Sequence, residues 1–493
     1  MVCAFVCLPA NAASPSSWSI ADQKAATEAA LLIARAEKWP ELNYAFIDLS
    51  AALLKAGNNE SGRQFAEEAM DGVQWPKPTA TDAYDLSQVV GSAVQLLAWS
   101  GDTARAEALV DADPDPGSRM LLLGRLGRGA AKAGAVELAI GAIGSIAALL
   151  PKADVPESAG NWDKLTPQDD LRDPGDLPFV RDPVGAITEQ LILAGHSTEA
   201  VHAAEPLPGQ FEARVLEQAA FIGCKGPGPS ADIAKLVTDG VAGLRPATLQ
   251  ASKNDWDRAS VWGNAAAALA VCDNSDAAAK YVASVVPEAD RATSLRSAAY
   301  DLALAGHLPL AEPLLAPSDA QGLQKARGFD RYRNGPMLPG QERDLAPIDF
   351  DSAVVAAKAT GPMVEMPTPV QAMMVAIMSF DGAKTPPTDA QIAAAIKDQM
   401  KPEPGPGAFA LADLVRRLAL QGRIEDAEWA EAMLPTDKGD VIALTRDEPL
   451  AHIADAKIKQ GDLEGALKTA LTIETPAWRW ESLIKLLAEP ASE

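Results

Sequence analysis

The side chains best suited to binding an anionic group lie close together between positions 325 and 333. They are Lys325, Arg327, Phe329, Arg331, Tyr332 and Arg333. Guanidinium groups hold carboxylates and phosphates through paired hydrogen bonds, and aromatic rings add stacking area beside a cation. The pattern therefore predicts a binding site for a carboxylate or phosphate group. The alternative is that the arginines pair with Asp330, Asp344, Asp349 or the acidic flank of an adjacent structural repeat.

Two of the four cysteines, Cys224 and Cys272, lie in the body of the chain, and each ends a segment of helical character. In an exported protein these two thiols can form a disulfide. The alternative is that both are buried thiols that act as small apolar side chains. The sequence leaves both interpretations open.

Signatures of catalysis and of cofactor binding are missing from the sequence. It contains no His-Glu-x-x-His motif, no Gly-x-Ser-x-Gly motif, no phosphate-binding loop and no dinucleotide fingerprint. The acid-rich segment 151–183 lacks the ligand spacing of a calcium loop. The methionines between positions 363 and 378 fit a Cu(I) site, a groove for a partner helix, or ordinary core filling, and their helical spacing favours core filling. We therefore expect no cofactor, no metal and no catalytic residue.

One local pattern recurs along the chain: an apolar helical stretch, a glycine, and a small residue five positions after it. The pairs are Gly57 and Gly62, Gly101 and Ala106, Gly134 and Ala139, Gly195 and Ala200, Gly306 and Ala311, Gly422 and Ala427, and Gly461 and Ala466, with Asp273 and Ala278 as a variant without glycine. Glycine ends helices readily because it adopts the left-handed backbone conformation. The next residue is often a good N-cap, as at Asn58, Asp102, Asn274 and Asp462. The pattern predicts antiparallel helix pairs, which the small residue allows to approach closely.

The spacing of the turns predicts that these helix pairs stack into an array. Gly101 to Gly134 and Asp273 to Gly306 each span 33 residues, a length typical of helical-hairpin repeats. An arginine stands fifteen residues before the turn at Arg119, Arg258, Arg291 and Arg446, and Arg479 opens a final half repeat. A cation is unfavourable in the first turn of a helix. We therefore expect each arginine to bind a carboxylate, such as Asp257, Asp290 or an acid on the neighbouring repeat.

Two of the turns carry a resemblance to a known family. Gly101-Asp-Thr-Ala-Arg-Ala106 and Gly461-Asp-Leu-Glu-Gly-Ala466 resemble the turn and second helix of tetratricopeptide repeats, which are helix–turn–helix units of about 34 residues. The aromatic positions typical of that family are mostly Ala or Leu in this chain. The resemblance implies an all-α solenoid, a right-handed superhelix of stacked antiparallel hairpins that binds proteins. It assigns no catalytic residue.

Composition and charge restrict the partners and the compartment. The chain has 493 residues and a formal net charge of −24, which repels nucleic acids and anionic lipid surfaces. The apolar run from Val2 to Ala10, ending in the small-x-small sequence Ala10-Asn11-Ala12, is typical of a signal peptide and predicts a periplasmic or secreted protein. Elsewhere the longest apolar stretch, Val370 to Phe380, is shorter than the roughly 20 residues needed to cross a bilayer. We expect no nucleic acid partner and no membrane insertion.

These features divide the chain into six segments. They are a signal-peptide remnant at 1–13, helical repeats at 14–150, a Pro- and Asp-rich loop at 151–183, helical repeats at 184–316, a basic and aromatic insertion at 317–350, and helical repeats with a terminal capping helix at 351–493.

This organisation favours a non-enzymatic periplasmic scaffold that binds a peptide or an envelope protein. Because the chain is acidic, we expect the partner to carry a basic segment. The alternative is an envelope glycan-active enzyme, built on an α/α toroid or on a helical ring that resembles lytic transglycosylases or lyases. A deep pocket with a desolvated glutamate would favour the enzyme, whereas a shallow acidic surface would favour binding.

Overall fold

The computed structural model describes residues 18–38, 41–76, 83–150, 183–207, 209–224, 231–244, 255–323, 326–327, 412, 415–416, 418–420, 422–432, 434 and 446–491. Nearly all of these residues lie in α-helices or in the short turns between them, and none lies in a β-strand. The fold is therefore all-α, as the sequence predicts. The predicted signal-peptide remnant, residues 151–182 of the predicted loop and residues 328–350 of the predicted insertion lie outside the described residues.

The described helices belong to two compact units. The long unit takes its residues from Trp39–Leu54 and Asn58–Pro339, and the terminal unit from Met1–Lys38, Lys55–Gly57 and Gly340–Glu493. The helices of the long unit are α2 (Glu41–Lys55), α3 (Asn59–Glu68), α4 (Ala83–Trp99), α5 (Thr103–Asp111), α6 (Pro116–Lys132), α7 (Val136–Leu149), α8 (Pro183–Leu193), α9 (Ser197–Ala204), α10 (Gly209–Gly223), α11 (Ala231–Gly243), α12 (Asp255–Cys272), α13 (Ser275–Val285), α14 (Glu288–Leu304) and α15 (Leu308–Ala311). Those of the terminal unit are α1 (Ile20–Ala34), α16 (Ile424–Glu431), α17 (Glu448–Gln460), α18 (Leu463–Thr472) and α19 (Pro476–Leu487).

The long unit is a stack of helix hairpins in which the first helix of each hairpin packs against the first helix of the next. This succession runs from α4 to α6, α8, α10, α12 and α14. One apolar core continues through the stack and includes Leu96, Leu126, Ile187, Leu216 and Leu302. A layered arrangement in which each repeat contacts its neighbours is that of an α-solenoid.

The turns between paired helices have the geometry that the sequence predicts. All seven predicted turn glycines are left-handed, with φ between 73° and 92°. The small residue five positions later is buried in every pair. At Gly62 a Cβ atom would lie 2.5 Å from Cγ of Leu54, so the close approach of α2 and α3 requires glycine there. The four predicted N-caps each accept a hydrogen bond from a backbone N–H three residues ahead: Asn58, Asp102, Asn274 and Asp462.

The variant turn at Asp273 is built differently. No described residue other than glycine has a positive φ, so Asp273 does not adopt the left-handed conformation. Instead, the backbone of Asn274 is extended, with φ −172° and ψ 170°, and its side chain caps α13. An extended residue reverses the chain here without the steric cost that a side chain meets in the left-handed region.

Two of the recurring arginines bind acids of the preceding repeat, as expected. Arg119 at the start of α6 pairs with Asp111 at the end of α5. Arg446, just before α17, donates from Nε to Oε1 of Glu431, the last residue of α16, at 3.3 Å. These pairs join the start of one hairpin to the end of the one before it.

The expectation of a carboxylate partner is wrong for two other arginines. Nε of Arg291 donates to the backbone carbonyl of Val286 at 2.9 Å, and Nε of Arg479 donates to that of Ile473 at 2.6 Å. Val286 and Ile473 are the C-cap residues of α13 and α18. A helix C-terminus has unsatisfied carbonyls and a partial negative charge, so it takes the place of the acid.

The last helix, α19, contains Arg479 in its first turn, as the predicted half repeat requires. Within the terminal unit α1 packs against α19, so the first and the last of the described helices contact each other. The buried face of α1 contains Gln23 and three alanines, and small side chains allow two helices to approach closely. Trp18, immediately before α1, is fully buried.

Across the parts of the chain that the structure describes, no helix combines the length and the hydropathy needed to cross a membrane.

Candidate functional site

One face is shared by the first helices of the hairpins. Residues thirteen, nine, six and two positions before a turn glycine are separated by four, three and four residues, so they lie on one side of an α-helix. We call this face the first-helix stripe. Its members are Gln88, Ser92, Gln95 and Trp99 on α4, Leu121, Arg125, Arg128 and Lys132 on α6, and Glu448, His452, Asp455 and Lys459 on α17.

Side chains of the stripe on α6 reach those on α4. Arg125 donates from Nη1 to Oε1 of Gln95 at 3.3 Å and from Nη2 to Oε1 of Gln88 at 3.5 Å. Nζ of Lys132 lies 4.6 Å from the centroid of the Trp99 ring, within the range of a cation–π contact. The stripe is therefore continuous from one first helix to the next at this point.

Glycines bring α4 and α6 close together along this contact. A Cβ atom at Gly129 would lie 2.1 Å from the backbone carbonyl oxygen of Gln95, so only glycine fits. The side chain of Arg125 crosses over Gly91, and a Cβ atom added at Gly91 would lie 3.6 Å from Cγ of Arg125. The close approach buries the side chains between the two helices, and the exposed fractions are 0% for Gln95, 5% for Arg125 and 2% for Arg128.

Arg125 is a buried cation for which the described residues provide no carboxylate. Its two acceptors are neutral amide oxygens, and both distances exceed the usual 2.7–2.9 Å or so of a charged N–H···O bond. Burial, with a further contribution from the charge of Arg128, lowers the pKa of Arg125 to about 9. Nε2 of Gln95 is also buried, and no described group accepts a hydrogen bond from it. This contact therefore combines a positive charge with an unused donor.

The terminal unit has a lysine at the equivalent contact. Nζ of Lys485 on α19 donates to Oδ2 of Asp455 at 2.8 Å and to Oε1 of Glu481 at 2.6 Å. About a quarter of the Lys485 side chain is exposed, and the acids are also partly exposed. The group is accessible to solvent, unlike the contact between α4 and α6.

The pKa values in the terminal unit reflect this partial burial. Burial raises the pKa of Asp455, and Lys485 opposes the rise. Burial also lowers the pKa of His452 to about 4, and the nearby cations Arg416 and Lys485 lower it further. His452 is therefore neutral at pH 7.

Most of the predicted anion site lies outside the described residues. Arg327 is described, and its Nε donates to Oε1 of Glu312 at 2.8 Å on the protein surface. This pairing with an acid of the adjacent helical segment is what the alternative interpretation of the cluster expects for Arg327. The other five members have no described position: Lys325, Phe329, Arg331, Tyr332 and Arg333. The site remains a prediction.

Cys224 and Cys272 form a disulfide, with their Cα atoms 5.2 Å apart. The bond joins the end of α10 to the end of α12. Of the two interpretations that the sequence leaves open, the structure therefore contains the bonded one.

Searches for catalytic motifs do not find the first-helix stripe, because its residue types differ from helix to helix. Aligning the helices on their turn glycines would have found it. Six residues before the glycine stand Gln95, Arg128, Glu189 and Asp455, so four first helices carry a polar residue at the same position. Within the described part of the chain, no group of three or more His, Cys, Asp or Glu side chains is placed to hold a metal ion.

Comparisons with known proteins add little to this description. No family model matches the chain, and no curated protein matches it. Among solved structures, a circular tandem repeat protein with a novel repeat topology and enhanced subunit contact surfaces aligns with 94% of this chain and 86% of its own. The identity is 12% and the TM-score is 0.17, too low for the similarity to carry an argument. The all-α solenoid assignment therefore rests on the helix packing itself.

Proposed function

We propose that this protein is a non-enzymatic scaffold of tetratricopeptide-like hairpins that binds a protein or peptide along the partly exposed positions of the first-helix stripe. The observation that carries the proposal is a contrast between constant and variable positions. The turn glycines and the buried small residues recur from hairpin to hairpin, whereas the partly exposed stripe positions change, from Gln88 to Leu121 and Glu448 and from Trp99 to Lys132 and Lys459. A constant framework with one variable face is suited to contacting different groups along a partner.

We infer that the partner presents a basic segment. The net charge of −24 supports this, as do three partly exposed acids of the terminal unit: Glu448 and Asp455 on the stripe, and Glu481 on α19 beside it. Opposite charges speed association and select the partner, and salt screens them. The affinity should therefore fall as the salt concentration rises.

A peptide titration tests this proposal. Fluorescence anisotropy would compare a Lys- and Arg-rich peptide with an Asp- and Glu-rich peptide of equal length, at about 50 mM and about 500 mM NaCl. We expect the full chain to bind the basic peptide, more weakly at high salt and several-fold more weakly in the double variant Glu448→Gln, Glu481→Gln. Glu464→Gln, an exposed change on α18 in the same unit, is the control and should bind normally. Equal affinity for the two peptides would refute the charge-based proposal.

We also infer that the protein works in the periplasm or outside the cell. The apolar N-terminal run and the disulfide support this location, because disulfides persist in oxidising compartments. The test is alkylation of denatured protein taken directly from cells without reductant. We expect Cys224 and Cys272 to resist labelling, and their ready alkylation would contradict export.

One arrangement favours an enzyme as the second candidate. Asp455 and Glu481 both bind Lys485, and burial raises the pKa of Asp455. A carboxyl group with a raised pKa beside a second carboxyl group is the arrangement used in glycoside cleavage. Release of soluble glycan fragments from peptidoglycan by the unaltered chain, and its loss in Asp455→Asn, would support this candidate. Absence of any release would remove it.

A further inference from the structure

The positive charge of Arg125 is not neutralised by any described residue. The side chain is 5% exposed, and its guanidinium donates only to the amide oxygens of Gln95 and Gln88. A charge taken out of water without a counter-charge is strongly destabilising. The described residues around Arg125 therefore leave a requirement for negative charge at this point.

The terminal unit shows which group is missing. Lys485 stands six residues after the recurring Arg479, just as Arg125 stands six residues after Arg119. In both units this cation reaches the residue six positions before the turn glycine of the preceding first helix. For Lys485 that residue is Asp455, at 2.8 Å.

In the long unit the corresponding residue is Gln95, which places an amide where Asp455 has a carboxylate. A second difference points the same way. Glu481, four residues before Lys485, supplies another carboxylate, but Leu121 stands four residues before Arg125. At these equivalent positions the long unit therefore has the cation, Arg125, but neither of the two acids.

We propose that the contact between α4 and α6 is a binding site for a small carboxylate ligand, held by Arg125 and Gln95. The ligand supplies the oxygens that Asp455 supplies in the terminal unit. Arg125 donates to these oxygens, and so does Nε2 of Gln95, whose hydrogen-bonding capacity is otherwise unused. Arg128, one turn further along α6, raises the local positive potential. Gln95 and Arg125 belong to the first-helix stripe but are buried, so this site is separate from the partly exposed stripe positions proposed to bind a basic partner and does not depend on them.

The surroundings restrict the class of ligand. Gln95, Arg125 and Arg128 are all buried, so a ligand of few atoms fits better than a polymer. The planar guanidinium matches the two oxygens of a carboxylate. Phosphate and sulfate share the oxyanion chemistry, and an acidic peptide shares the carboxylate, so both kinds of ligand belong in the test.

Isothermal titration of the full chain with acetate, at constant ionic strength maintained by chloride, tests the site directly. We expect saturable binding at one site and a melting temperature that rises with acetate concentration. Arg125→Met should weaken acetate binding by at least about tenfold, because it removes the charge that the ligand pairs with. Arg105→Met is the matched control, since Arg105 on α5 is half exposed and pairs with Glu67. It should leave acetate binding unchanged.

The variant Gln95→Glu tests the site without the risk that Arg125→Met binds no acetate merely because it fails to fold. The substitution is nearly isosteric, retains Arg125 and provides a carboxylate within the chain. We expect it to raise the melting temperature in the absence of acetate and to abolish the further rise on adding acetate. This result does not require Arg125→Met to fold.

Several outcomes would overturn the proposal. One is no saturable acetate binding up to about 100 mM, a concentration that would reveal even millimolar affinity. Another is binding that is equal in the unaltered chain and in Arg125→Met. Preference for inorganic phosphate or sulfate over acetate would reject the carboxylate assignment, and binding of an Asp-rich peptide but not of acetate would reject a small ligand. Strong destabilisation by Arg125→Met without any anion dependence would mean that the chain already neutralises this charge.

Discussion

Arg125 in the long unit and Lys485 in the terminal unit occupy equivalent positions, but they have different partners. Lys485 bridges Asp455 and Glu481, and it remains partly exposed. Arg125 is buried and meets only amide oxygens among the described residues. The comparison teaches that the repeat geometry determines which position a side chain reaches. The residue found at that position then determines whether the contact is an ion pair within the fold or a site that needs a ligand.

The largest expected effect comes from removing the disulfide, which tests whether destabilising the long unit also destabilises the terminal unit. The Cys224–Cys272 bond spans 48 residues of the long unit, and the described residues of the terminal unit contain no cysteine. Replacing both cysteines with serine should lower the free energy of unfolding by about 4 kcal/mol, because the bond no longer restricts the unfolded chain. Hydrogen exchange under mild denaturant should show weaker protection in α10 and α12 and unchanged protection in α17. An equal loss of protection in both units would contradict their independence.

The second effect concerns the close helix contact that buries Arg125. Gly129→Ala would push a Cβ atom into the carbonyl of Gln95, and we expect a loss of about 3 kcal/mol in unfolding free energy. Gly141→Ala is the control, because Gly141 is an exposed helical glycine on α7 with no neighbour near its added Cβ. It should gain up to about 1 kcal/mol from helix propensity. Urea unfolding measures both variants, and similar effects would show that the contact is looser than described.

The third effect should have opposite signs in the two units. Lys485→Met leaves Asp455 and Glu481 without their shared cation, and we expect a loss of about 2 kcal/mol. Arg125→Met removes a charge that no described carboxylate neutralises, so in the absence of an added carboxylate it should be neutral or stabilising by about 1 kcal/mol. Lys468→Met, an exposed change on α18, is the control and should have almost no effect. Equal losses for Lys485→Met and Arg125→Met would mean that both cations are paired.

The smallest effect is a pH dependence confined to the terminal unit. The folded-state pKa of His452, about 4, lies below its ordinary value of 6.5. The contribution of neutral His452 to the free energy of unfolding is therefore complete above pH 6.5 and is lost as the pH falls toward 4. Between pH 7 and pH 5 we expect a loss of about 1 kcal/mol, reduced by the partial exposure of the ring.

His452→Gln should flatten this pH dependence, as measured by urea unfolding at several pH values. The groups that face His452 are Arg416, Lys459, Lys485, Glu448 and Glu481. The raised pKa of Asp455 opposes the acid loss only at lower pH, because that carboxyl binds its proton more tightly in the folded state. A slope of the same size in His452→Gln would assign the effect to another group.

The hairpins were predictable because their signals are local. A left-handed glycine, an N-cap after it and a small residue one turn later act within a few residues of each other. For this reason the turns at Gly101 and Gly461 have the expected geometry, and the caps Asp102 and Asp462 bond as expected. The all-α class follows from the same signals.

The stripe contacts were not predictable because they join helices that are far apart in sequence. Arg125 and Gln95 are separated by 30 residues, and no local rule pairs them. The partners of Arg291 and Arg479 were mispredicted for a related reason. A guanidinium donates to a backbone carbonyl as readily as to an acid when a helix ends beside it, and residue types alone do not show where backbone carbonyls lie.

The packing of α1 against α19 gives the terminal unit an unusual order of assembly. During synthesis α1 is the first of the described helices to be made and α19 is the last, so the two can meet only after all the other described helices have been made. Successive hairpins of the long unit contact neighbours made shortly before them, and they can fold while the chain grows. A nascent chain stopped anywhere before α19 would thus hold finished hairpins and a first helix that still lacks its partner.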